Sequence, residues 1–367
     1  MTDLERAIQV IEHGLLKATT IKERPARKME LSKRMAYYKV PGFSIALIDQ
    51  GALAWAKGYG VLEAGGEAEV TNETIFQAAS ISKPVAAMIA LHLVEEGLLD
   101  LDADVNDVLH SWKVPKSKHT QVNKVTLRGL LSHTAGLKIH GFRGYPSGAQ
   151  LPTLQQILNG EPPANSKPVR VMQTPGTVFS VSGGGYMVVQ QIIEDVTGRP
   201  LAVLAQDLIF DKLGMAHSTY DSLLPEATLP QAATAHRRNG EPVPGKWHIY
   251  PEQAAASLWS TPSDQARLIV EVHKSYKNES NLVISTEMTR QMLTPELDSV
   301  GLGLAIIKKG NWTGFGHPGW NEGFHSFLIG YLGTGQGVVW MTNGENGKHL
   351  GQEVMRALDE FYGWPGY

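Results

Sequence analysis

Two apolar periods alternate along the chain. Residues 3–18 start with charges, and Leu4, Ile8, Ile11 and Leu15 then recur at helical spacing, which predicts an amphipathic helix. After the Val40-Pro41-Gly42 turn, Phe43-Ser44-Ile45-Ala46-Leu47-Ile48 reads as a buried strand. Asp49-Gln50-Gly51 turns it back into a second strand beginning at Leu53, so the pair is a hairpin. Gly58, Gly60, Gly65 and Gly66 mark loops. From Val85 to Val94 the chain is apolar on nearly every side, which predicts a core helix; Glu95, Glu96 and Gly97 end it.

Helices dominate the middle. Thr126 is an N-cap for a helix that Gly136 stops, and a short helix starts near Thr153. Another opens at Gly183-Gly184-Gly185, carries Met187, Val188, Ile192, Ile193 and Val196, and stops at Gly198. Residues 201–212 follow, then Thr261-Pro262-Ser263-Asp264 as a cap with an N1 proline, then 284–294. Strand patterns return at 302–306, 313–315, 325–331 and 337–342, and a helix over 348–362 closes the chain. Strands at both ends with helices between them predict an α+β fold: an antiparallel sheet built from both termini, with an inserted, mainly helical lobe. The division expected is a discontinuous sheet lobe of residues 1–75 and 245–367, a helical lobe of residues 76–244, and a site between them. Residues 138–176, rich in glycine, proline and serine, are a candidate pocket wall.

Composition narrows the function. A net charge of −3 over 367 residues, with no charged block, argues against nucleic acid or a membrane surface as partner. The absence of cysteine excludes disulfides, thiolate nucleophiles and thiolate metal sites. No apolar run is long enough for a signal peptide or a membrane span, so a cytoplasmic location is expected. Asp100, Asp102 and Asp104 are spaced like a calcium loop but lack its central glycine and distal glutamate, and they read as a solvated turn. His236 and His248 have no companion at metal-ligand spacing, and no P-loop lysine follows Gly183-Gly184-Gly185. No cofactor or metal is expected.

The chemistry concentrates in Gln77-Ala78-Ala79-Ser80-Ile81-Ser82-Lys83-Pro84. Ser80 and Lys83, three apart, share one helix face. A serine hydroxyl needs a neighbouring base to be nucleophilic, and a lysine whose amine is made neutral by burial can be that base. Peptide N–H groups at the start of the helix favour a developing negative charge. His133 reads as a hydrogen-bonded structural residue, and Tyr186 as a packing or capping one. Trp247, Tyr250 and Trp320 are candidate acyl-pocket aromatics, or plain core.

The ordered set Ser80-x-x-Lys83, Leu130-Leu131-Ser132-His133-Thr134-Ala135-Gly136-Leu137, Pro175-Gly176 into Phe179-Ser180, and His317-Pro318-Gly319 resembles the serine β-lactamase and penicillin-binding-protein superfamily. The chain looks closest to its class C β-lactamase-like and family VIII carboxylesterase members, over roughly residues 38–345. The resemblance implies a β-lactamase/transpeptidase-like fold and a serine hydrolase acting on small esters through an acyl-enzyme on Ser80. Lys83 would manage the proton, His317 and Gly319 would lie on the strand lining the pocket, and the N–H groups of Ser80 and Trp320 would form the oxyanion hole. Two positions depart from the family pattern. Val181 stands where relatives carry the tyrosine of Tyr-x-Asn or Tyr-Ser-Gly, and Pro318 stands where lactam-processing relatives carry a hydroxyl residue. The alternatives are an amidase, D-aminopeptidase or weak β-lactamase, and a non-turning acyl-binding protein.

Overall fold

The computed structural model describes residues 1–17, 27–297 and 300–366. Its main sheet is antiparallel and has the order β2-β1-β8-β7-β6-β5, with β1 at Gly42–Asp49, β2 at Ala52–Gly60, β5 at Ala305–Lys309, β6 at Trp312–Asn321, β7 at Phe324–Tyr331 and β8 at Gln336–Thr342. The central pairing joins the two ends of the chain: Phe43 lies opposite Thr342, Ile45 opposite Trp340, and Leu47 opposite Val338. Both faces of the sheet are buried, which explains why β1 reads as an unbroken apolar run rather than an alternation. On one face Phe43, Ile45, Phe327 and Trp340 pack with Ile11, Leu350, Val354 and Leu358 from the Asp3–His13 and Gly347–Tyr362 helices. On the other, Ala46, Leu328, Val339 and Phe315 pack with Met88, Ile269 and Val272 from the Ser82–Glu95 and Pro262–Tyr276 helices.

Most expected helix ends coincide with observed caps. The hydroxyls of Thr126, Thr153 and Thr261 accept the N–H groups of Gly129, Gln156 and Asp264, and Gly198 closes the Gly183–Thr197 helix in the left-handed conformation. Two helices are shorter than expected: the one capped by Thr126 runs only Leu127–Leu131 and stops short of Gly136, and the first is shortened too. The first ends at His13 with Gly14 as its cap, and Leu15 pairs with Met29 instead; residue 18 lies outside the described residues. Gly58 and Gly60, expected in loops, lie inside β2. A Cβ at Gly58 would stand 2.3 Å from the Val70 carbonyl oxygen, so the glycine admits a neighbouring backbone.

A second, two-stranded sheet positions the site. β3 (Phe76–Gln77) pairs with β4 (Trp259–Ser260), and the Ala78 N–H donates to the Leu258 carbonyl at 2.7 Å. The Ala78 carbonyl in turn accepts from Ser326 Oγ on β7 at 2.8 Å. Gly319, opposite Ser326 on β6, completes this junction: a Cβ there would lie 2.2 Å from Ser326 Oγ and 2.3 Å from the Ala78 oxygen. Only a hydrogen fits between the strand and the turn that leads to Ser80. We expect Gly319→Ala to destabilise the fold by about 2 kcal/mol through overpacking. Urea melts would measure this, and an unchanged midpoint would show that the junction is loose.

Candidate active site

Ser80 sits in a single 3-10 turn, Ala79–Ile81, directly before the Ser82–Glu95 helix. Ala79 holds φ at +52°, a left-handed value that costs a non-glycine residue energy and persists only where its surroundings enforce it. The enforcement is visible next door. Ser82 Oγ donates to the Ala79 carbonyl at 2.6 Å and accepts the Leu258 N–H at 3.0 Å, and the Tyr220 hydroxyl donates to the Ser82 carbonyl. Ser80 is half-buried at the mouth of this frame, with Lys83 buried behind it.

Lys83 Nζ is 2.7 Å from Ser80 Oγ and 2.9 Å from the Ala255 carbonyl oxygen. No carboxylate pairs with it among the described residues. Burial therefore acts unopposed and lowers the amine from 10.5 to about 7. A neutral amine can donate to Ala255 while its lone pair accepts the Ser80 proton. Behind it the Tyr186 ring centroid is 5.9 Å away, but the Tyr186 hydroxyl donates to the Leu131 carbonyl at 3.0 Å, and burial raises its pKa. Tyr186 packs, as expected, and does not stand in for a tyrosine at position 181.

His133 and Val181 are linked through backbone. His133, at φ +61°, accepts the Ser180 N–H on its carbonyl at 2.9 Å and the Ser182 N–H on Nδ1 at 3.2 Å, so both neighbours of Val181 are tied to it. Burial is the main cause that holds the His133 ring neutral. Its remaining proton is therefore on Nε2.

Alternation along β6 puts His317, Gly319 and Asn321 on the face that meets the Ser80 turn. His317 Nδ1 lies 2.6 Å from the Pro318 carbonyl oxygen; since a carbonyl only accepts, Nδ1 carries the proton and Nε2 keeps a lone pair. Burial, then the Lys83 charge, lowers the His317 pKa, so the ring is neutral. Asn321 Nδ2 donates to Gln77 Oε1 at 2.8 Å and to the Ala256 carbonyl at 3.0 Å, tying β6 to both β3 and the Ala255 segment. Trp320 points to the opposite face, 55% exposed beside His325, so its side chain does not line this site; only its backbone is available to it. Trp247 packs edge-on against buried Trp259, and the Tyr250 hydroxyl accepts the Glu322 N–H, so both are built into the wall.

The other candidates are occupied elsewhere. Asp100 Oδ1 accepts the N–H groups of Asp102 and Ala103, Asp102 pairs with Arg128, and Asp104 caps a short helix. His236 bonds the Asn343 carbonyl and the Ala64 N–H, and His248 lies against Glu322 and the Arg143 carbonyl. Ala255, Asn321 and Gln77 were missed in the sequence. A carbonyl acceptor has no side-chain signature, and the Gln77–Asn321 pair joins residues 244 positions apart.

These features agree with the comparisons. The beta-lactamase family model matches residues 29–360. The chain belongs to that family. It is 28% identical over 339 residues to penicillin-binding protein 4 of Amycolatopsis lactamdurans, covering 88% of this chain and 85% of that one. It is 28% identical over 202 residues to esterase EstB of Burkholderia gladioli, covering 53% of this chain and 50% of the esterase. The solved D-amino acid amidase of Ochrobactrum anthropi shares its fold, with a TM-score of 0.73 at 21% identity, covering 98% of this chain and 99% of that one. The β-lactamase/transpeptidase-like fold expected from the motifs is thus observed, with its antiparallel sheet and surrounding helices. Among the described residues no helix is long and apolar enough to cross a membrane.

The Lys83 burial has a thermodynamic signature. Between the folded pKa of about 7 and the unfolded value of 10.5, the unfolded chain binds the extra proton, so the native state gains stability as pH rises. We expect wild type to gain on Lys83→Met by about 1.4 kcal/mol per pH unit across that window. Parallel stability curves from denaturant melts would mean that Lys83 keeps an ordinary pKa.

Proposed function

We propose that this family member is a serine hydrolase of small, neutral carboxylic esters, working through an acyl-enzyme on Ser80. The observation that carries the reading is the 2.7 Å contact of Ser80 Oγ with a buried amine whose other partner is a carbonyl. Ser80 Oγ attacks the ester carbonyl as its proton passes to Lys83 Nζ. The oxyanion that forms is held by the N–H groups of Ser80 and Trp320, each such donor being worth about 2.7–4 kcal/mol. Collapse expels the alcohol, which takes the proton from Lys83 and restores the neutral amine. Water then attacks the acyl carbon and gives its proton to Lys83, with the Nε2 lone pair of His317 within the same site to assist. The Ser80–acyl bond breaks, and Lys83 returns the proton to Ser80 Oγ.

Substrate charge follows from the same residues. His317 is neutral where a cation would recognise a carboxylate, and Pro318 offers neither a hydroxyl nor an N–H. This favours uncharged esters over anionic lactams. The esterase among the relatives supports the ester reading, while the penicillin-binding protein keeps amide and lactam substrates as the alternative. One observation favours a second reading. Val181 cannot move a proton, and a general base is worth about 10²–10⁴-fold, so a protein that acylates and then stalls is the rival.

Hydrolysis of p-nitrophenyl butyrate by wild type, lost in Ser80→Ala, is the expected result; equal rates in both would sink the hydrolase. Its rate should climb about tenfold per pH unit up to about pH 7, because Lys83 must be neutral to act. Val181→Tyr should raise turnover by about tenfold or more if deacylation is slow, and pre-steady-state bursts would show which half-reaction moved. A one-equivalent burst with no later turnover in wild type would instead establish the stalled acyl-binding protein.

A further inference from the structure

Glu252 is a carboxyl group with nothing to bind. It is fully buried, and neither Oε1 nor Oε2 has a hydrogen-bond partner among the described residues. No basic side chain pairs with it there. A charged carboxylate in such a site lacks both water and a counter-charge, so the neutral acid is the stable form.

Its place in the chain connects it to the site. The Glu252 carbonyl accepts the N–H groups of Ala255 at 3.1 Å and Ala256 at 2.9 Å, at the head of the Gln253–Ser257 turn. That turn presents two consecutive carbonyls: Ala255 to Lys83 Nζ and Ala256 to Asn321 Nδ2 on β6. The elements packed around it bring one carboxylate close: Glu194 on the Gly183–Thr197 helix accepts from Gln190 Nε2, the group that also donates to Gln253. The Gly183–Thr197 helix contributes Gln190, which accepts the Ala254 N–H and donates to Gln253, together with Tyr186. Gln253 Nε2 and Ser257 Oγ donate to the Tyr220 carbonyl. Tyr145 and Tyr250 feel the Glu252 charge, Leu201–Ala205 carries no titratable side chain, and Lys83 is the base bonded to the turn.

We propose that Glu252 is a positioning residue: its backbone carbonyl holds the Gln253–Ser257 turn beneath Lys83 while its buried side chain stays a neutral acid, and ionisation of that side chain opens the turn and sets the alkaline limit of hydrolysis. The proposal rests on the hydrolase reading above for its activity readout. Burial raises the Glu252 carboxyl to about 8; its own backbone N–H lies near enough to favour the charged form without making a hydrogen bond. Lys83 is neutral above about 7 and Glu252 below about 8, so the working window is a narrow bell. The stability sign opposes that of Lys83. Between the ordinary glutamate value of 4.5 and about 8 the native state binds the extra proton, so this side chain costs stability as pH rises through that range.

The test compares full-length wild type, Glu252→Gln and Glu252→Leu from pH 5 to 10, with Ser80→Ala as the blank for spontaneous ester hydrolysis. Each rate profile with p-nitrophenyl butyrate is scaled to its own maximum, and Tm is recorded at every pH. Wild type should lose about tenfold in rate per pH unit above pH 8, whereas both uncharged variants hold their plateau. Wild-type Tm should fall relative to Glu252→Gln as pH rises from 5 to 9. Either variant suffices if the other does not fold. Superimposed rate profiles, in a wild type that turns over, overturn the proposal and leave the hydrolase standing. A wild type inactive at every pH sinks the hydrolase reading and the alkaline limit with it. The Tm curves then decide the state of Glu252 alone: divergence supports the buried neutral acid, and coincidence overturns it.

Discussion

The structure depends on keeping one amine dry. Lys83 lies in a helix that is apolar on nearly every side, with a serine hydroxyl and a peptide carbonyl as its hydrogen-bond partners. A carboxylate in place of the Ala255 carbonyl would hold the ammonium charged and remove its lone pair. Burial without a counter-charge does the opposite, and the fall from 10.5 to about 7 means about 5 kcal/mol against the charged form. The fold must supply that from elsewhere, since a lone lysine would otherwise snorkel to water. It does so with a core continuous from Val85 and Met88 through Tyr186 and Val189 to Ile269, which leaves the side chain no path out except toward Ser80.

Placing the hydroxyl is a separate problem, solved by long-range hydrogen bonds. Ala78 is fastened to Leu258 on one side and to Ser326 on the other, so the turn before Ser80 is held by segments far along the chain. The left-handed Ala79 is the cost of aiming Ser80 outward while Lys83 points inward. β6 then closes the front, and Gly319 lets it approach to the distance of a hydrogen atom. Because the β5 pairing covers β6 only as far as Gly316, the stretch from His317 to Asn321 leaves one edge unpaired among the described residues, beside Ser80, where Pro318 can sit in a strand without breaking a ladder on both sides.

How much of this could be read in the residues depends on range. Helix ends were legible because threonine caps and glycine stops act within four residues: Thr126, Thr153, Thr261 and Gly198 behave as their chemistry dictates. The Ser80–Lys83 pair was legible for the same reason, a three-residue spacing. The sheet was legible as strands at both ends of the chain, and its central β1–β8 pair joins those ends. Glycine was ambiguous, since Gly58 in β2 serves a close backbone approach that resembles a loop signal in one dimension. What stayed hidden is what a one-dimensional pattern cannot carry: a carbonyl 172 positions from Lys83, the face on which Trp320 projects, and the isolation of Glu252.

Val181 shows why geometry and rate must be argued apart. The backbone around it is held on both sides, with Ser180 and Ser182 both bonded to His133. The loop therefore presents position 181 in a defined place whatever side chain it carries. A valine there offers no proton to transfer, so on the proposed route its effect falls on the steps that need a second base. On the proposed acyl-enzyme route, acylation needs one proton to leave Ser80, and Lys83 is already in contact with it. Deacylation on that route needs water to be deprotonated while the acyl group occupies the serine, which removes the Ser80–Lys83 hydrogen bond that organised the first step. The same buried amine thus meets its easier task first and its harder task alone, with the lone pair on His317 Nε2 as the other uncommitted acceptor identified on that face of β6.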